Sequence, residues 1–214
     1  SFGHNPGTNH PRMLGTLREV SRRGGNIVAI NPLKERGLER FQDPQAAVEM
    51  MTNGSTPISR YYFQPNVGGD YALMFGMLKH LREWDIQALA AGKKSVFDRS
   101  FIEMNTVGFD AMMEEIDRTA WSDIHAHTGL SPEHLESLAK MYLDAKTAIF
   151  CWGMGITQHR HGTANVHMLA NLMLARGHIG RPGAGLAPIR GHSNVQGDRT
   201  MGINELPSTK LLDN

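Results

Sequence analysis

The stretch that most constrains this chain is Thr147-Ala148-Ile149-Phe150-Cys151-Trp152, followed by Gly153-Met154-Gly155 and an apolar stretch through Val166, Leu169, Ala170 and Met173. Six consecutive largely apolar residues ending in a glycine turn read as a buried strand. The stretch after the turn repeats at helical spacing and is apolar on most of its circumference, so the helix should be central. A buried strand leading into a buried helix calls for a parallel sheet with helices on both faces.

The start of the chain repeats the pattern. Ser1-Phe2-Gly3 reads as the end of a strand, and Met13, Leu14, Leu17 and Val20 predict a helix that stops at Gly24-Gly25. Asn26 to Ile30 reads as a second strand closed by Asn31-Pro32, giving half of a mononucleotide-binding unit. Beyond it, Pro44 to Met51 reads as a short helix and Tyr61-Tyr62-Phe63 as a strand. Gly68-Gly69-Asp70 opens a helix faced by Met74, Met77, Leu78 and Leu81, with Asp70 expected at its N-cap. Phe109, Met112, Met113 and Ile116 mark another helix, and Ser131-Pro132-Glu133 starts one more, striped by Leu135, Leu138, Ala139 and Tyr142. From Gly177 to Gly191 a loop with five glycines is expected. One domain is expected over 1–205, with an irregular tail over 206–214. The absence of an initiator methionine and the clipped first strand suggest a piece of a longer protein.

Composition removes several classes. Lys plus Arg total 22 and Asp plus Glu 21, a net charge of +1 that argues against nucleic-acid binding. A single cysteine, Cys151, excludes an internal disulfide or an all-cysteine metal site. No apolar run approaches the ~18 residues of a membrane span. A cytoplasmic protein is expected.

Ligands of open parallel sheets bind beyond the carboxyl ends of the strands. Three loops rich in glycine, amide and hydroxyl groups fall there: Gly3 to Asn9, Asn31-Pro32, and Gly153 to His159. Such loops let backbone N–H groups approach a phosphate, although tight strand-to-helix turns have the same composition. The nicotinamide-dinucleotide fingerprint is absent, since Gly3-His4-Asn5-Pro6-Gly7-Thr8 is not G-x-G-x-x-G and Asn31 replaces the ribose-binding acid. His159-Arg160-His161 and His125-Ala126-His127 are the densest histidine groups, but neither has metal-ligand spacing. The segment from Gly177 to Gly202 looks like backbone threaded close to a ligand, with Arg190 as a charged, forked donor for an anion.

Residues 5–12, 68–73 and 152–159, and above all Gly180 through Gly202, resemble the molybdopterin oxidoreductases of the dimethyl sulfoxide reductase superfamily. The formate-dehydrogenase-alpha-like branch is the most similar. The resemblance implies a Rossmann-like, doubly wound α/β domain. It implies one of two molybdopterin guanine dinucleotides that together chelate molybdenum, the bis(molybdopterin guanine dinucleotide) cofactor. Larger family members carry an iron–sulfur segment and a Cys, selenocysteine or Ser metal ligand, and this chain shows neither. Carried over by position, Gly3, Asn5, Thr8, Asn9, Asn31, Pro32, Gly68, Gly69, Asp70, Gly153, Met154, Gly155, Gln158, His159, Gly191, Ser193 and Asn194 would bind the dinucleotide. Arg190 would orient an anionic substrate, and His192 would carry a proton. His192 stands where the formate enzymes carry glutamine, which argues against formate. The resemblance also implies contacts with the remaining domains of the parent subunit and an electron-transfer partner. The isolated piece is expected to be inert. Two rival readings are a non-catalytic purine-nucleotide module using the same loops and a metal hydrolase built on His159 and His161.

Overall fold

The computed structural model describes residues 1–192 and 194–203; Ser193 and the expected tail at 206–214 lie outside the described residues. After Phe2 and the turn at Gly3, Pro6 begins a single helical turn, α1 (Pro6–Asn9). Asn5 caps it, its side-chain oxygen accepting from the Thr8 N–H at 3.3 Å. Helix α2 (Met13–Arg22) buries Leu14 and ends before Gly24, whose φ of +78° suits glycine. Strand β1 (Val28–Ile30) follows. A small excursion comes next: α3 (Arg36–Glu39), β2 (Arg40–Phe41), α4 (Ala47–Thr52) and β3 (Thr56–Pro57), with β2 and β3 antiparallel. Strand β4 (Tyr61–Phe63) then returns beside β1 in parallel.

The longest helix, α5 (Asp70–Ala90), is the spine of the core. Leu73, Met74, Met77, Leu78 and Leu81 are fully buried along it. It packs against α7 (Phe109–Arg118), α8 (Trp121–Thr128) and α9 (Pro132–Asp144); α6 (Arg99–Asn105) precedes α7. Gly76 makes room for two of these neighbours, since a Cβ there would lie 2.6 Å from the Leu135 side chain and 2.9 Å from that of Ile124. Helix α9 is capped as its sequence predicts, Ser131 Oγ accepting from the His134 N–H at 3.3 Å. The Asp70 cap is corrected: Gly69 occupies the cap position, and Asp70 is the first helical residue, buried.

Strand β5 (Ile149–Trp152) starts two residues later than its apolar run. Phe150 and Trp152 face the core while Ile149 is exposed. The turn read at 153–155 is the beginning of a short helix, α10 (Met154–Thr157). Helix α11 (Gly162–Ala175) is central as expected, with Leu169, Leu172 and Met173 wholly buried. The expected loop at 177–191 contains a strand, β6 (Gly185–Pro188), paired in parallel with β5, before α12 (Val195–Thr200). Proline and glycine hide it; both are tolerated because, among the described residues, it pairs with β5 alone.

Phe2 joins the two parallel pairs, bridging Ile30 on one side and Trp152 on the other. Across the molecule the order is therefore β4, β1, Phe2, β5, β6, all parallel. The chain moves outward one way from Phe2 through β1 and β4, then outward the other way through β5 and β6. The reversal falls between Phe2 and β5, the position at which open parallel sheets present ligand sites. The described residues are thus a mixed α/β structure built on parallel strand pairs. None of their helices is long and apolar enough to cross a membrane.

Candidate functional site

At the reversal, the turns after Phe2 and β5 lie against each other. The Gly153 N–H donates to the Phe2 carbonyl at 3.2 Å and the Gly155 N–H to the Gly3 carbonyl at 3.1 Å. A Cβ on Gly155 would lie 2.7 Å from the Gly3 oxygen, and one on Gly3, at φ +52°, 2.9 Å from the Gly155 carbonyl carbon. Backbone-to-backbone packing therefore requires both glycines without any ligand. Gly191 differs, for a Cβ there would meet nothing within 4 Å.

The other predicted loops are partly closed on themselves. Asn5 spends its side chain on Thr8, its amide also donating to Thr8 Oγ1 at 3.1 Å; Thr8 and Asn9 are exposed. Asn31 Nδ2 donates to the Leu33 carbonyl at 2.7 Å, and the Pro32 carbonyl accepts from Gln64 at 2.9 Å. Gly68 is exposed with φ +85°, whereas Gly69 is packed against the His127 and Thr128 carbonyls.

Asp70 is buried at the start of α5. Burial raises its carboxyl above the ordinary range, and nearby His159 partly offsets this. His159 Nδ1 accepts from the His161 N–H at 3.3 Å, and its Nε2 meets the Asn165 amide at 2.6 Å. With both ring nitrogens engaged, His159 is poorly placed to ligate a metal. Among the described residues no three His, Cys, Asp or Glu side chains converge on one point. Gln158, Gly191, His192 and Asn194 are exposed, and Asn194 leans on Asp198 at 3.4 Å.

The structure brings Gly153, Met154 and Thr157 together with Arg190, Gly191 and His192 in one cleft of about 440 Å³. Among the described residues no carboxylate lines it. Arg190 is half-buried, and among the described residues its guanidinium has no ion-pair or hydrogen-bond partner. The loop after Phe2 reaches the same place through two histidines. His4 Nε2 and His10 Nδ1 are 2.9 Å apart, and His10 Nε2 lies 3.0 Å from the Arg190 carbonyl oxygen. Sequence reasoning singled out neither histidine, although His10 sits in the motif Asn5 to Arg12; a contact across 180 residues leaves no mark in local spacing.

The profile of the molybdopterin oxidoreductases matches residues 89–211, more than half of the chain, including β5, α11, β6 and the Arg190 segment. The chain belongs to the molybdopterin oxidoreductase family. It is 53% identical over 211 residues to protein YdeP of Escherichia coli K12, covering 99% of this chain and 28% of that protein. An uncharacterized oxidoreductase of Mycobacterium tuberculosis is 43% identical, over 98% of this chain and 26% of its own length. Formate dehydrogenase H of E. coli K12 is 30% identical, over 97% and 25%. The chain spans about a quarter of the length of these curated relatives. Acetylene hydratase from Pelobacter acetylenicus shares the fold at a TM-score of 0.59 and 16% identity, over 80% of this chain and 20% of that one. Membership of this oxidoreductase family implies a molybdenum–pterin cofactor. Among the described residues the cleft fits a phosphate-bearing group of that kind through the exposed Thr157 hydroxyl and the open space over Gly191, with no carboxylate lining it and the Arg190 guanidinium left for a second anion beside it.

Proposed function

We propose that residues 1–205 form a Rossmann-like, doubly wound domain that holds one half of a bis(molybdopterin guanine dinucleotide) cofactor in a cytoplasmic oxidoreductase. One observation carries this reading: beside the reversal of strand order the Gly153–Thr157 turn and the open backbone of Gly191 line one cleft together with Arg190, whose guanidinium has no partner among the described residues. Dinucleotides bind at such a reversal in open α/β sheets. When bound, the molybdenum–pterin group supplies the two-electron chemistry. Gly153, Met154, Gln158, His159, Gly191 and Asn194 would line the cofactor on one side, and Gly3, Asn5, Thr8, Asn9, Asn31, Pro32, Gly68, Gly69 and Asp70 on the other.

Arg190 binds and orients a small anionic substrate through its forked donors and offsets charge that builds on it. His192, exposed at the cleft, takes or gives the proton that accompanies electron transfer. Trp152, Val166 and Ile189 form the apolar wall that limits water around these groups. The metal ligand, the second half of the cofactor site, an iron–sulfur cluster and the electron-transfer partner would come from other parts of the intact enzyme. This chain alone would therefore be inactive.

Acid hydrolysis of the purified intact protein, with molybdenum and nucleotide measured together, tests the proposal. Two guanine nucleotides released per molybdenum are expected. A pterin without nucleotide, or a different base, would overturn the dinucleotide assignment.

A further inference from the structure

The pair His4 and His10 spans the carboxyl edge from the first strand end to the last. His4 is 5% exposed, and its Cβ and Cδ2 lie within about 3 Å of where a Gly153 side chain would begin. His10 touches the Arg190 carbonyl, so the two rings reach from the loop after Phe2, past the end of β5, to the segment after β6.

Hydrogen-bond chemistry fixes the direction of the link to Arg190. A carbonyl oxygen only accepts, so His10 Nε2 must carry the proton and donate to Arg190. In the tautomer pair in which His10 Nδ1 accepts, His4 Nε2 is the donor to it. That leaves His4 Nδ1 as a bare acceptor, buried without a partner among the described residues. Burial, with His10 beside it, brings the His4 imidazole down to about 4, which keeps this ring neutral at pH 7. The chain ends on a carbonyl, so it has nowhere to pass a proton. It can hold backbone but cannot shuttle.

We infer that His4 and His10 are positioning residues that fix the peptide after Arg190, and thereby aim the Arg190 guanidinium and the open face of Gly191 into the cleft. The strand pairing stops at Pro188, and the only backbone bond beyond it before α12 among the described residues is the Ile189 N–H to Trp152 at 2.8 Å. His10 supplies the next fixed point. The inference rests on the proposed function only for what Arg190 would then hold; the fixing of the loop stands apart from it.

Hydrogen–deuterium exchange of the intact protein, read on residues 186–192 with α9 as reference, tests this. His10→Phe keeps the ring volume and removes the donor, and exchange of 186–192 should rise about fivefold while α9 is unchanged. His10→Gln keeps a donor for the carbonyl and should restore most of the protection. His4→Phe should give a smaller rise, since His10 keeps its donor but loses the group that orients it. No rise in His10→Phe, an equal rise in His10→Gln, or a rise shared with α9 would overturn the inference. The predicted response in protein that binds no molybdenum would uphold the positioning role and refute the cofactor reading instead.

Discussion

Gly3 and Gly155 lie in backbone contact across 152 residues of chain, the Gly155 N–H donating to the Gly3 carbonyl at 3.1 Å with no room for a side chain on either. This contact locks the turn after Phe2 onto the turn after β5. It also separates two uses of glycine at one edge, close packing at 3 and 155 and open space at 191.

Gly155→Ala should therefore destabilise the intact protein by about 1–3 kcal/mol, towards the upper end because the obstructing atoms are backbone. Gly191→Ala should change stability by less than about 0.5 kcal/mol, yet lower molybdenum content if its new methyl protrudes into the cleft. Denaturant midpoints and metal analysis of the two variants check the contrast. Equal destabilisation would show that position 191 is also packed.

Arg190→Ala should cut turnover by about 100-fold while leaving molybdenum content within about twofold of the parent, because the lost donor acts on the developing charge of the reaction. Arg190→Lys should recover only part of the loss, since an ammonium cannot reproduce the forked geometry. Parallel loss of metal and activity would make Arg190 a structural or cofactor-holding residue.

Asp70 presents the opposite case, a carboxyl that burial pushes up. The unfolded chain releases this proton at a lower pH than the folded one. Its contribution therefore favours folding in acid and is lost as pH rises from about 4 towards the folded value. Asp70→Asn should raise the unfolding midpoint at pH 7 and match the parent below pH 4, while cofactor content falls. Unchanged cofactor content would remove Asp70 from the binding site.

Asp85 runs the other way. Burial alone would raise its carboxyl, but bonds from Ser95 Oγ at 2.5 Å, the Val96 N–H at 2.8 Å and Arg99 at 2.6 Å together hold it below the ordinary range. Its stabilising effect is complete above about pH 4 and disappears as pH falls through the depressed folded value. Asp85→Ala should cost about 3 kcal/mol at pH 7 and less in acid, measured by denaturant unfolding across pH. A cost independent of pH would contradict a carboxyl held ionised by these three donors.

The fold was legible where burial is periodic. The stripe Leu135, Leu138, Ala139 and Tyr142, the cap at Ser131 and the run ending at Trp152 each announce their element through local chemistry. β6 was not, because Gly185 and Pro188 carry loop composition and only pairing with β5 makes them a strand. Helices α6 and α8 also escaped notice, their apolar residues too few to mark a face. At the site, Arg190 and the 153–155 turn stood out as charge and glycine. The Gly3–Gly155 packing and the His4–His10–Arg190 chain did not, since both depend on residues more than a hundred positions apart.

An experimental structure of the intact protein purified with its molybdenum cofactor is the most direct test of the account. It should show a phosphate-bearing pterin group against Gly153 and Gly191, with the Arg190 guanidinium directed into the same cleft. Finding that group elsewhere, with another part of the protein filling the space between Thr157 and Arg190, would contradict the central claim.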